Sequence, residues 1–409
     1  MLRLGNERLF DGEYLRLIEG RRVGLLTNHS GVDRLLRATA DRLYQSGVCQ
    51  LVALFGPEHG IRGDAPDGAQ VGSGRDPHTG IPTYSLYGDT RAPQDAMLAD
   101  VEVMLCDLQD VGVRFYTYLY TMGLSMQACA GRGIPFVVLD RPNPIGGQRV
   151  AGNVLDPTFA SFVGLYPIPI QPGMTIGELA RLFNAEFGLG ADLHVVPMAG
   201  WRREMLWDAT GLAWVPPSPN MPTLDTALVY PGMCFCEGTN LSEGRGTTRP
   251  FEQIGAPFVD GGRLAAHLND LELPGVRFRP VFFRPTASKH AGLTCQGIQV
   301  HLTERQAFQP VRTGFEVLAA ARRLHATEFA WLPASDEGGM GRSAAASGRP
   351  LHRPLGRLEA RPRCHFDRLA GTDRVRLGLE EGLSVGVLEA SWEEDLRAFE
   401  RRRRPCLLY

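Results

Sequence analysis

The sequence lacks the marks of a membrane-spanning or cofactor-dependent protein. No stretch approaches the roughly 20 apolar residues that a membrane-spanning helix needs. It contains no HExxH zinc motif, no P-loop and no usable GxGxxG nucleotide-binding motif. The formal net charge is only −2, which does not favour electrostatic capture of nucleic acid or of an anionic membrane. We therefore expect no metal, no cofactor, no nucleic-acid partner and no membrane span.

Cysteine is present but without the spacing of a metal or redox site. The eight cysteines are irregularly placed, and several lie inside apolar runs, as in VEVMLCDL (101–108). Cys234-Phe-Cys236 lacks both the two-residue spacer and the second pair that such motifs have. The sequence therefore predicts buried free thiols.

The N-terminal segment also has little apolar character. Residues 1–17, MLRLGNERLFDGEYLRL, carry charges throughout and contain no apolar core of the length found in a signal peptide. We expect a cytoplasmic protein, although a chain whose export signal had been removed would read the same way.

The length of the chain predicts two domains, because 409 residues exceed what one ordinary hydrophobic core serves. A proline-rich stretch, WVPPSPNMP (214–222), interrupts regular structure. We place the boundary shortly after it, near Tyr230. This gives an N-terminal domain of residues 1–230 and a C-terminal domain of residues 231–409.

Four short apolar runs in the first half each end in a polar loop. None of them alternates cleanly, which is typical of strands buried on both faces of a parallel sheet. Helix-compatible stretches lie between them, at 33–46, 94–99 and 118–131, so we expect βαβ units and an open, mostly parallel sheet. The runs are 22–27 before Asn28, 51–55 before Glu58 and His59, 101–106 before Asp107 and Asp110, and 134–139 before Asp140 and Asn143.

These four polar loops should lie at one edge of the sheet, where α/β proteins bind ligands beyond the carboxyl ends of their strands. Glu58 and His59 follow directly after a sharp turn at Gly56-Pro57. Polar residues could instead simply mark the points where strands reach solvent. Because four loops carry charged or amide groups together with Gly or Pro, we favour a binding site.

The second half contains one segment with little to bury and many polar groups. EGTNLSEGRGTTRP (237–250) includes two glutamates, two arginines and three glycines. Such a segment is either a disordered surface loop or a ligand-binding loop. Beyond it we predict strands at 277–283 and 294–302 and helices at 312–324 and 392–404, the last ending in a run of arginines that suits a helix C-terminus.

Several long motifs resemble one family, the NamZ-type exo-β-N-acetylmuramidases. The resemblance runs in order through nearly the whole chain, and its motifs are long and unusual in composition. They are LFGPEHGIRGD (54–64), DLQDVGVRFYTYLYTM (107–122), VLDRPNPIGG (138–147), MTIGELA (174–180), WVPPSPNMPT (214–223), EGTNLSEGRGTTRPFEQIGAPF (237–258) and FDRLAGTDRVRLGLEEG (366–382).

This resemblance implies a fold and a reaction. The expected fold is α/β, with an N-terminal Rossmann-like domain, a smaller C-terminal α/β domain and the site in the cleft between them. The expected reaction releases N-acetylmuramic acid from the non-reducing end of peptidoglycan fragments. Many members are exported, and this sequence shows no export signal, so its substrate is either the wall itself or recycled muropeptides.

Glycoside hydrolysis usually needs two carboxyl groups, one of which keeps a proton near neutral pH. Glu58 is our first candidate for the general acid, with Asp64 as a neighbouring charge. Glu58 could instead cap its loop or pair with Arg62. The candidates for the second carboxylate are Glu237, Glu243, Asp107, Asp110 and Asp140. The 2-acetamido oxygen of the substrate is a further candidate nucleophile. If it attacks, the second carboxylate only orients it.

The lactyl carboxylate of N-acetylmuramic acid suits a guanidinium, which binds it through two parallel hydrogen bonds. Each arginine in the motifs could equally be structural. Tyr116 begins an alternation of tyrosines that could form a sugar platform, although a core role is as compatible. The expected substrate-binding residues are His59, Arg62, Asp107, Asp110, Arg114, Tyr116, Asp140, Asn143, Asn240 and Arg245, with Arg249 as a further lactyl candidate.

Three rival functions stay open at this point. A non-catalytic carbohydrate-binding protein would have the same cleft without a competent pair of carboxyl groups. A nucleotide-dependent enzyme is disfavoured by the missing glycine motif. A glycosidase specific for N-acetylglucosamine would lack the lactyl-binding arginine.

Overall fold

The structure is a computed structural model that describes residues 2–62, 72–334 and 364–409. In these residues the strands are β1 (Arg22–Thr27), β2 (Gln50–Gly56), β3 (Gly74–Arg75), β4 (Pro82–Ser85), β5 (Val103–Asp107), β6 (Phe136–Leu139), β7 (Ala151–Val154), β8 (Pro169–Gln171), β9 (Leu193–Val196), β10 (Gln253–Ala256), β11 (Val276–Phe283) and β12 (Cys295–Leu302). The largest sheet has the order β3-β4-β2-β1-β5-β6-β9, and only its β3–β4 pairing is antiparallel. The predicted α/β fold with a mostly parallel sheet is confirmed.

The central strands are apolar throughout because their two faces enter two different cores. On β5, Met104 and Cys106 belong to the main core, whereas Val103 and Leu105 belong to a second core on the other face. All four side chains are 0% exposed. Each fully buried aliphatic side chain contributes roughly 1.5–3 kcal/mol, so these strands form the most firmly held part of the fold.

The helices surround the sheet and form much of the second half. In the described residues they are α1 (Gly5–Arg8), α2 (Gly12–Leu15), α3 (Thr39–Ser46), α4 (Tyr118–Ala130), α5 (Ile176–Glu186), α6 (Leu224–Met233), α7 (Gly261–Asp270), α8 (Pro310–Leu324), α9 (His365–Ala370), α10 (Arg374–Glu381), α11 (Val385–Ser391) and α12 (Glu393–Arg403). Predicted helices at 118–131, 312–324 and 392–404 are confirmed as α4, α8 and α12. The predicted helix at 94–99 is a single 3₁₀ turn, Asp95–Leu98.

The predicted helix at 33–46 is shorter than expected and begins only at Thr39. The carboxylate of Asp33 accepts hydrogen bonds from the backbone N–H groups of Leu35 and Arg37, both at 2.9 Å. An aspartate that bonds the backbone just after it competes with helix formation. These bonds turn the chain before α3 starts.

The sheet has its topological switch point between β1 and β5. From β1 the chain moves to β2 and β4 on one side, and it then returns to place β5 on the other side of β1. In open α/β sheets ligands bind beyond the carboxyl ends of strands near such a point. The loops after β2, β4 and β5 therefore surround the expected ligand position.

The second half is built on a small antiparallel sheet, β10-β12-β11, with α7 and α8 packed nearby. The predicted boundary near residue 230 falls inside α6, and the hydrophobic core continues across it. Phe235 is the clearest link, since its ring centroid lies 5.6 Å from that of Phe115 and 4.9 Å from that of Phe315. The two halves of the chain therefore share one core.

The cysteines agree with the prediction of free thiols. All eight lie in the described residues, and each is free, with seven buried and Cys49 partly buried. None of the helices described in residues 2–62, 72–334 and 364–409 combines the length and the apolarity of a membrane span.

Candidate active site

A cavity of about 230 Å³ lies at the carboxyl edge of the parallel sheet and is lined by both halves of the chain. This volume is below the roughly 300–1,000 Å³ of pockets for drug-sized ligands, and it suits a single small ring. The predicted residues that line it are Glu58, His59, Tyr116, Glu237 and Arg245. The structure therefore brings the GPEHG loop and the EGTNLSEGRG segment together across one cavity.

Glu58 enters the cavity from the loop after β2. The turn that presents it is tight, since His59 has a left-handed backbone with φ of 72° and is only 4% exposed. Such a backbone is unfavourable for a residue other than glycine and is often found at functional sites. The hydroxyl of Thr117, at the start of α4, donates to Glu58 Oε2 at 2.8 Å. The loop and the helix together fix the direction of this carboxyl group.

Glu237 faces the cavity from the 3₁₀ turn Cys234–Gly238 that follows α6. Its carboxyl accepts a hydrogen bond from Arg245 Nη2 at 2.6 Å. Burial raises the pKa of Glu237 to about 8, and the charges of Glu243 and Glu58 act in the same direction while Lys289 opposes them. The carboxyl of Glu237 therefore keeps its proton at neutral pH.

The balance of charges around Glu237 also favours a raised pKa for its carboxyl group. Three carboxyl groups, those of Glu58, Glu237 and Glu243, face two cations, Arg245 and Lys289. Arg245 alone would favour ionised Glu237. With one carboxylate in excess in buried surroundings, the cluster lowers its energy by holding one proton. Burial and the charges of Glu243 and Glu58 all raise the pKa of Glu237, so we assign that proton to Glu237.

Glu243 lies behind the cavity and is 1% exposed. Its carboxylate contacts Arg245 Nε at 3.3 Å and Lys289 Nζ at 2.9 Å, and it accepts from Ser288 Oγ at 3.1 Å. It does not line the cavity as the sequence prediction of a catalytic carboxylate requires, so its influence reaches the cavity through Arg245 and Glu237.

Aromatic side chains form much of the cavity wall. Tyr116 and Tyr118 line it with their ring centroids 4.7 Å apart, and the ring centroid of Tyr230 lies 6.4 Å from that of Tyr116 and 4.7 Å from that of Phe251. Tyr120 points away instead, and its hydroxyl donates to the carbonyl of Arg114 at 2.5 Å. The predicted tyrosine platform is therefore made by Tyr116 and Tyr118, whereas Tyr120 belongs to the core.

Three acidic residues predicted at the site are used elsewhere at the same sheet edge. Asp107 is fully buried and paired with Arg141, with Oδ1 and Nε 2.5 Å apart. Asp110 accepts from the backbone of Gly112 at 2.8 Å. Asp140 accepts from Thr175 Oγ1, Gly177 N and Tyr409 Oη at 2.7–2.8 Å. Burial raises the pKa of both Asp110 and Asp140 to about 7, but neither lines the cavity.

Arg114 is structural rather than a ligand for the lactyl group. It is 0% exposed and donates to the carbonyls of Asn153 at 2.8 Å and Ile168 at 3.0 Å in the first half. It also donates to the carbonyls of Leu369 at 3.1 Å and Ala370 at 2.6 Å in the second half. The predicted binding role is corrected, because its donors already join the two halves of the chain.

The other predicted binding residues also have partners away from the cavity. Arg62 pairs with Asp76, and Arg249 pairs with Glu252 at 3.0 Å. Asn143 donates to the carbonyl of Met174 at 3.0 Å. Asn240 donates to the carbonyl of Glu328 at 2.7 Å and accepts from the backbone of Ala330 at 2.9 Å. Asp64, predicted as a charge beside Glu58, lies outside the described residues.

Sequence reasoning missed several residues of the site. Tyr87, after β4, lines the cavity, and Lys289 contacts Glu243 from a loop more than forty residues away. Ser218 and Asn220 also line it, and their place within the motif WVPPSPNMPT was a signal that could have been used. Among the described residues, no group of three or more His, Cys, Asp and Glu side chains is arranged to hold a metal ion.

Comparison with known proteins decides the family. The model described as "Exo-beta-N-acetylmuramidase NamZ, N-terminal" matches residues 23–225, and its C-terminal counterpart matches residues 228–409. The chain belongs to the NamZ exo-β-N-acetylmuramidase family. Peptidoglycan β-N-acetylmuramidase NamZ of Bacillus subtilis (strain 168) is 47% identical over 397 residues, which cover 97% of this chain and 89% of that protein.

Solved structures of NamZ relatives have the same architecture. A DUF1343 family protein from Bacteroides fragilis NCTC 9343, in a crystal structure at 1.65 Å, superposes with a TM-score of 0.83 at 36% identity. A second DUF1343 protein of that strain, at 1.30 Å, gives a TM-score of 0.73 at 28% identity. Both comparisons cover 100% of this chain and 99% of the other. The family identification and the fold prediction are thus confirmed.

Proposed function

We propose that the protein is an exo-acting β-N-acetylmuramidase, a glycoside hydrolase that releases N-acetylmuramic acid from the non-reducing end of peptidoglycan fragments. The observation that carries the proposal is the cavity in which a protonated carboxyl group, a second carboxyl group and a guanidinium converge. Membership in the NamZ family supports the same reaction, as does the printed activity of the relative from Bacillus subtilis.

In the reaction we assign proton donation to Glu237, because its carboxyl carries the proton of the cluster at neutral pH. It would protonate the departing glycosidic oxygen, while Glu58, which lines the same cavity, acts as the second carboxyl group. Glu58 then attacks the anomeric carbon, activates a water molecule, or orients the substrate's own acetamido group for attack. This reverses the sequence prediction, in which Glu58 was the acid.

We assign the lactyl carboxylate to Arg245, which lines the cavity and is 19% exposed. Binding there would draw the guanidinium toward the substrate and weaken its hydrogen bond to Glu237. It would also bring a further negative charge into the cluster. Both effects favour the protonated form of Glu237, so binding of the correct sugar prepares the acid for its step.

A non-catalytic carbohydrate-binding protein is disfavoured, because it would not need a carboxyl group held neutral beside two carboxylates.

The role of Arg245 gives a test of the substrate. We expect Arg245→Gln to lower the ratio of kcat/KM for a chromogenic β-N-acetylmuramide to that for the matching N-acetylglucosaminide by about 10- to 100-fold, as loss of charge-assisted hydrogen bonds implies. Arg249→Gln, in the same loop, is the matched control and should leave the ratio unchanged. Equal loss on both sugars in Arg245→Gln would reject the lactyl assignment, and no turnover of either sugar by the wild type would reject the proposed function.

The raised pKa of Glu237 predicts a pH dependence. The acid works only when protonated, so kcat/KM should fall as the pH rises through about 8, the pKa of Glu237 in the free protein. Because substrate binding favours the proton, the alkaline fall of kcat should lie at higher pH than that of kcat/KM. Both profiles can be measured between pH values of about 5 and 10 with a disaccharide in which N-acetylmuramic acid is β-linked to N-acetylglucosamine, because this departing sugar needs the proton. An alkaline fall of kcat below that of kcat/KM would contradict this effect of substrate binding.

A further inference from the structure

Side chains of the loop between β11 and β12 contact residues 236–243, the segment that carries Glu237 and Glu243. Ser288 Oγ donates to Glu243 Oε1 at 3.1 Å. Lys289 follows, and His290 Nε2 then lies 2.7 Å from the carbonyl oxygen of Asn240. Three consecutive side chains of this loop thus contact a single short segment of the active site.

The backbone of this loop is held in an unfavourable conformation. Ser288 and His290, on either side of Lys289, both have left-handed backbones, with φ of 60° and 59°. Residues other than glycine adopt this region only when their surroundings require it, and such positions concentrate at functional sites. The two left-handed residues direct the side chains of 288–290 together onto the segment below.

Lys289 makes the central contacts. Its ammonium donates to the carbonyls of Cys236 at 2.6 Å and Thr239 at 2.8 Å, and it lies 2.9 Å from Glu243 Oε2. Two carbonyls and one carboxylate thus surround the ammonium, and the side chain of Lys289 is only 18% exposed. Cys236 belongs to the 3₁₀ turn that carries Glu237, and Thr239 directly follows that turn. One ammonium therefore contacts both the carboxyl group of Glu243 and the backbone on either side of Glu237.

Lys289 is also the only lysine in the chain, since the other 42 of its 43 basic residues are arginine. A planar guanidinium presents its donors in a fixed fork, whereas an ammonium is compact and directs three donors tetrahedrally. Lys289 places its ammonium against two carbonyls and one carboxylate. It is the one position with a basic side chain of lysine or arginine at which the sequence has an ammonium instead of a guanidinium.

We propose that Lys289 is a positioning residue for the glycosidase reaction, whose ammonium holds the carboxyl group of Glu243 beside Glu237 and fixes the turn that presents Glu237 to the cavity. This proposal rests on the proposed function and goes beyond it in assigning the reaction a residue outside the cavity.

The proposal has a consequence for proton binding. Release of the last proton from Glu237 and Glu243 creates two adjacent negative charges, and Lys289 stabilises that state. Without the ammonium the proton is held to higher pH, whichever of the two carboxyl groups carries it. Without the negative charge of Glu243, by contrast, Glu237 releases its proton at lower pH. Removal of either member of the pair should therefore shift the pH profile in opposite directions.

Other titratable groups near Glu237 do not produce this pattern. On the turn itself and on α6 before it, burial raises the pKa of Cys234 and of Tyr230 well above their usual values, so both stay uncharged near neutral pH. Glu58 and Arg245 are present in every variant considered. The groups contributed by α9, which packs against the turn, are His365, whose pKa burial lowers to about 4, Asp367, paired with Arg376 at 2.9 Å, and Arg368.

The test compares the alkaline limb of kcat/KM in the wild type and four variants, measured with the disaccharide in which N-acetylmuramic acid is β-linked to N-acetylglucosamine. Lys289→Met should lower kcat by about 10²-fold, the scale of a misplaced catalytic group, and move the limb to higher pH by about one unit. Glu243→Gln should move the limb to lower pH. Lys289→Arg keeps the charge, so its limb should stay in place while kcat falls. Arg284→Met removes an exposed cation from the same loop and should match the wild type.

Each outcome decides the proposal. An unmoved limb in both Lys289→Met and Glu243→Gln, with the wild type active on the muramide, overturns the positioning role but leaves the proposed function in place. Full activity of Lys289→Arg would also overturn it, because the argument requires an ammonium. If Lys289→Met fails to fold, Glu243→Gln and Lys289→Arg carry the test on their own. Inactivity of the wild type would contradict the proposed function instead.

Discussion

Glu237→Gln should lower kcat by about 10²–10⁴-fold, the usual contribution of general acid catalysis, on a disaccharide in which N-acetylmuramic acid is β-linked to N-acetylglucosamine. The amide cannot protonate the departing sugar oxygen. A nitrophenyl muramide needs little protonation because its leaving group is stable as an anion. The loss on that substrate should therefore be much smaller, and the ratio of the two losses measures the acid role.

Glu58→Gln is the matched carboxyl-to-amide change across the same cavity. If Glu58 is the second carboxyl group, Glu58→Gln should lose activity on the disaccharide and on the nitrophenyl muramide to a similar extent. The reason is that the second carboxyl group acts on attack at the anomeric carbon and not on the leaving group. The reverse pattern, with leaving-group dependence in Glu58→Gln alone, would return the acid role to Glu58.

Arg114→Met should lower the free energy of unfolding by about 3–5 kcal/mol, the scale of a broken buried polar network. The methionine fills most of the space but leaves four backbone carbonyls without their donor, in both halves of the chain. Urea unfolding followed by tryptophan fluorescence measures the change through the shift of the transition midpoint.

Arg284→Met serves as the control for stability, since Arg284 is exposed and has one side-chain hydrogen bond, to Thr294 at 3.1 Å. Its free energy of unfolding should change by less than about 0.5 kcal/mol. A shift in Arg114→Met no larger than in this control would mean that Arg114 does not join the halves and is open again to a binding role.

The sheet and the position of the site follow from local sequence patterns. Apolar runs of five or six residues, each ending in a polar loop, predict parallel strands and the edge at which a ligand binds. The prediction of parallel strands is confirmed for β1, β2, β5 and β6. Burial on both faces requires apolar residues along the strand, so the evidence lies within the sequence of each strand. The cavity between the GPEHG loop and the EGTNLSEGRG segment follows from the family resemblance.

The choice among polar residues at that edge could not be made from sequence. Asp107 and Glu58 both follow buried strands, but Asp107 meets Arg141, a residue thirty-four positions away, and becomes a buried pair. Glu237 and Glu243 stand six residues apart in one segment, yet only Glu237 faces the cavity. The difference is made by Lys289, which comes from another hairpin. Such long-range partners leave no mark in the neighbouring sequence.

The aromatic wall of the cavity also belongs to the core that joins the halves. Phe115, Tyr230 and Phe251 line the cavity, and the ring of Tyr230 lies 5.3 Å from that of Phe115 and 4.7 Å from that of Phe251. A substitution that reshapes this wall for another sugar therefore also disturbs the packing between the halves. A change of sugar specificity therefore costs less stability at a polar lining position such as Asn220 than at this aromatic wall.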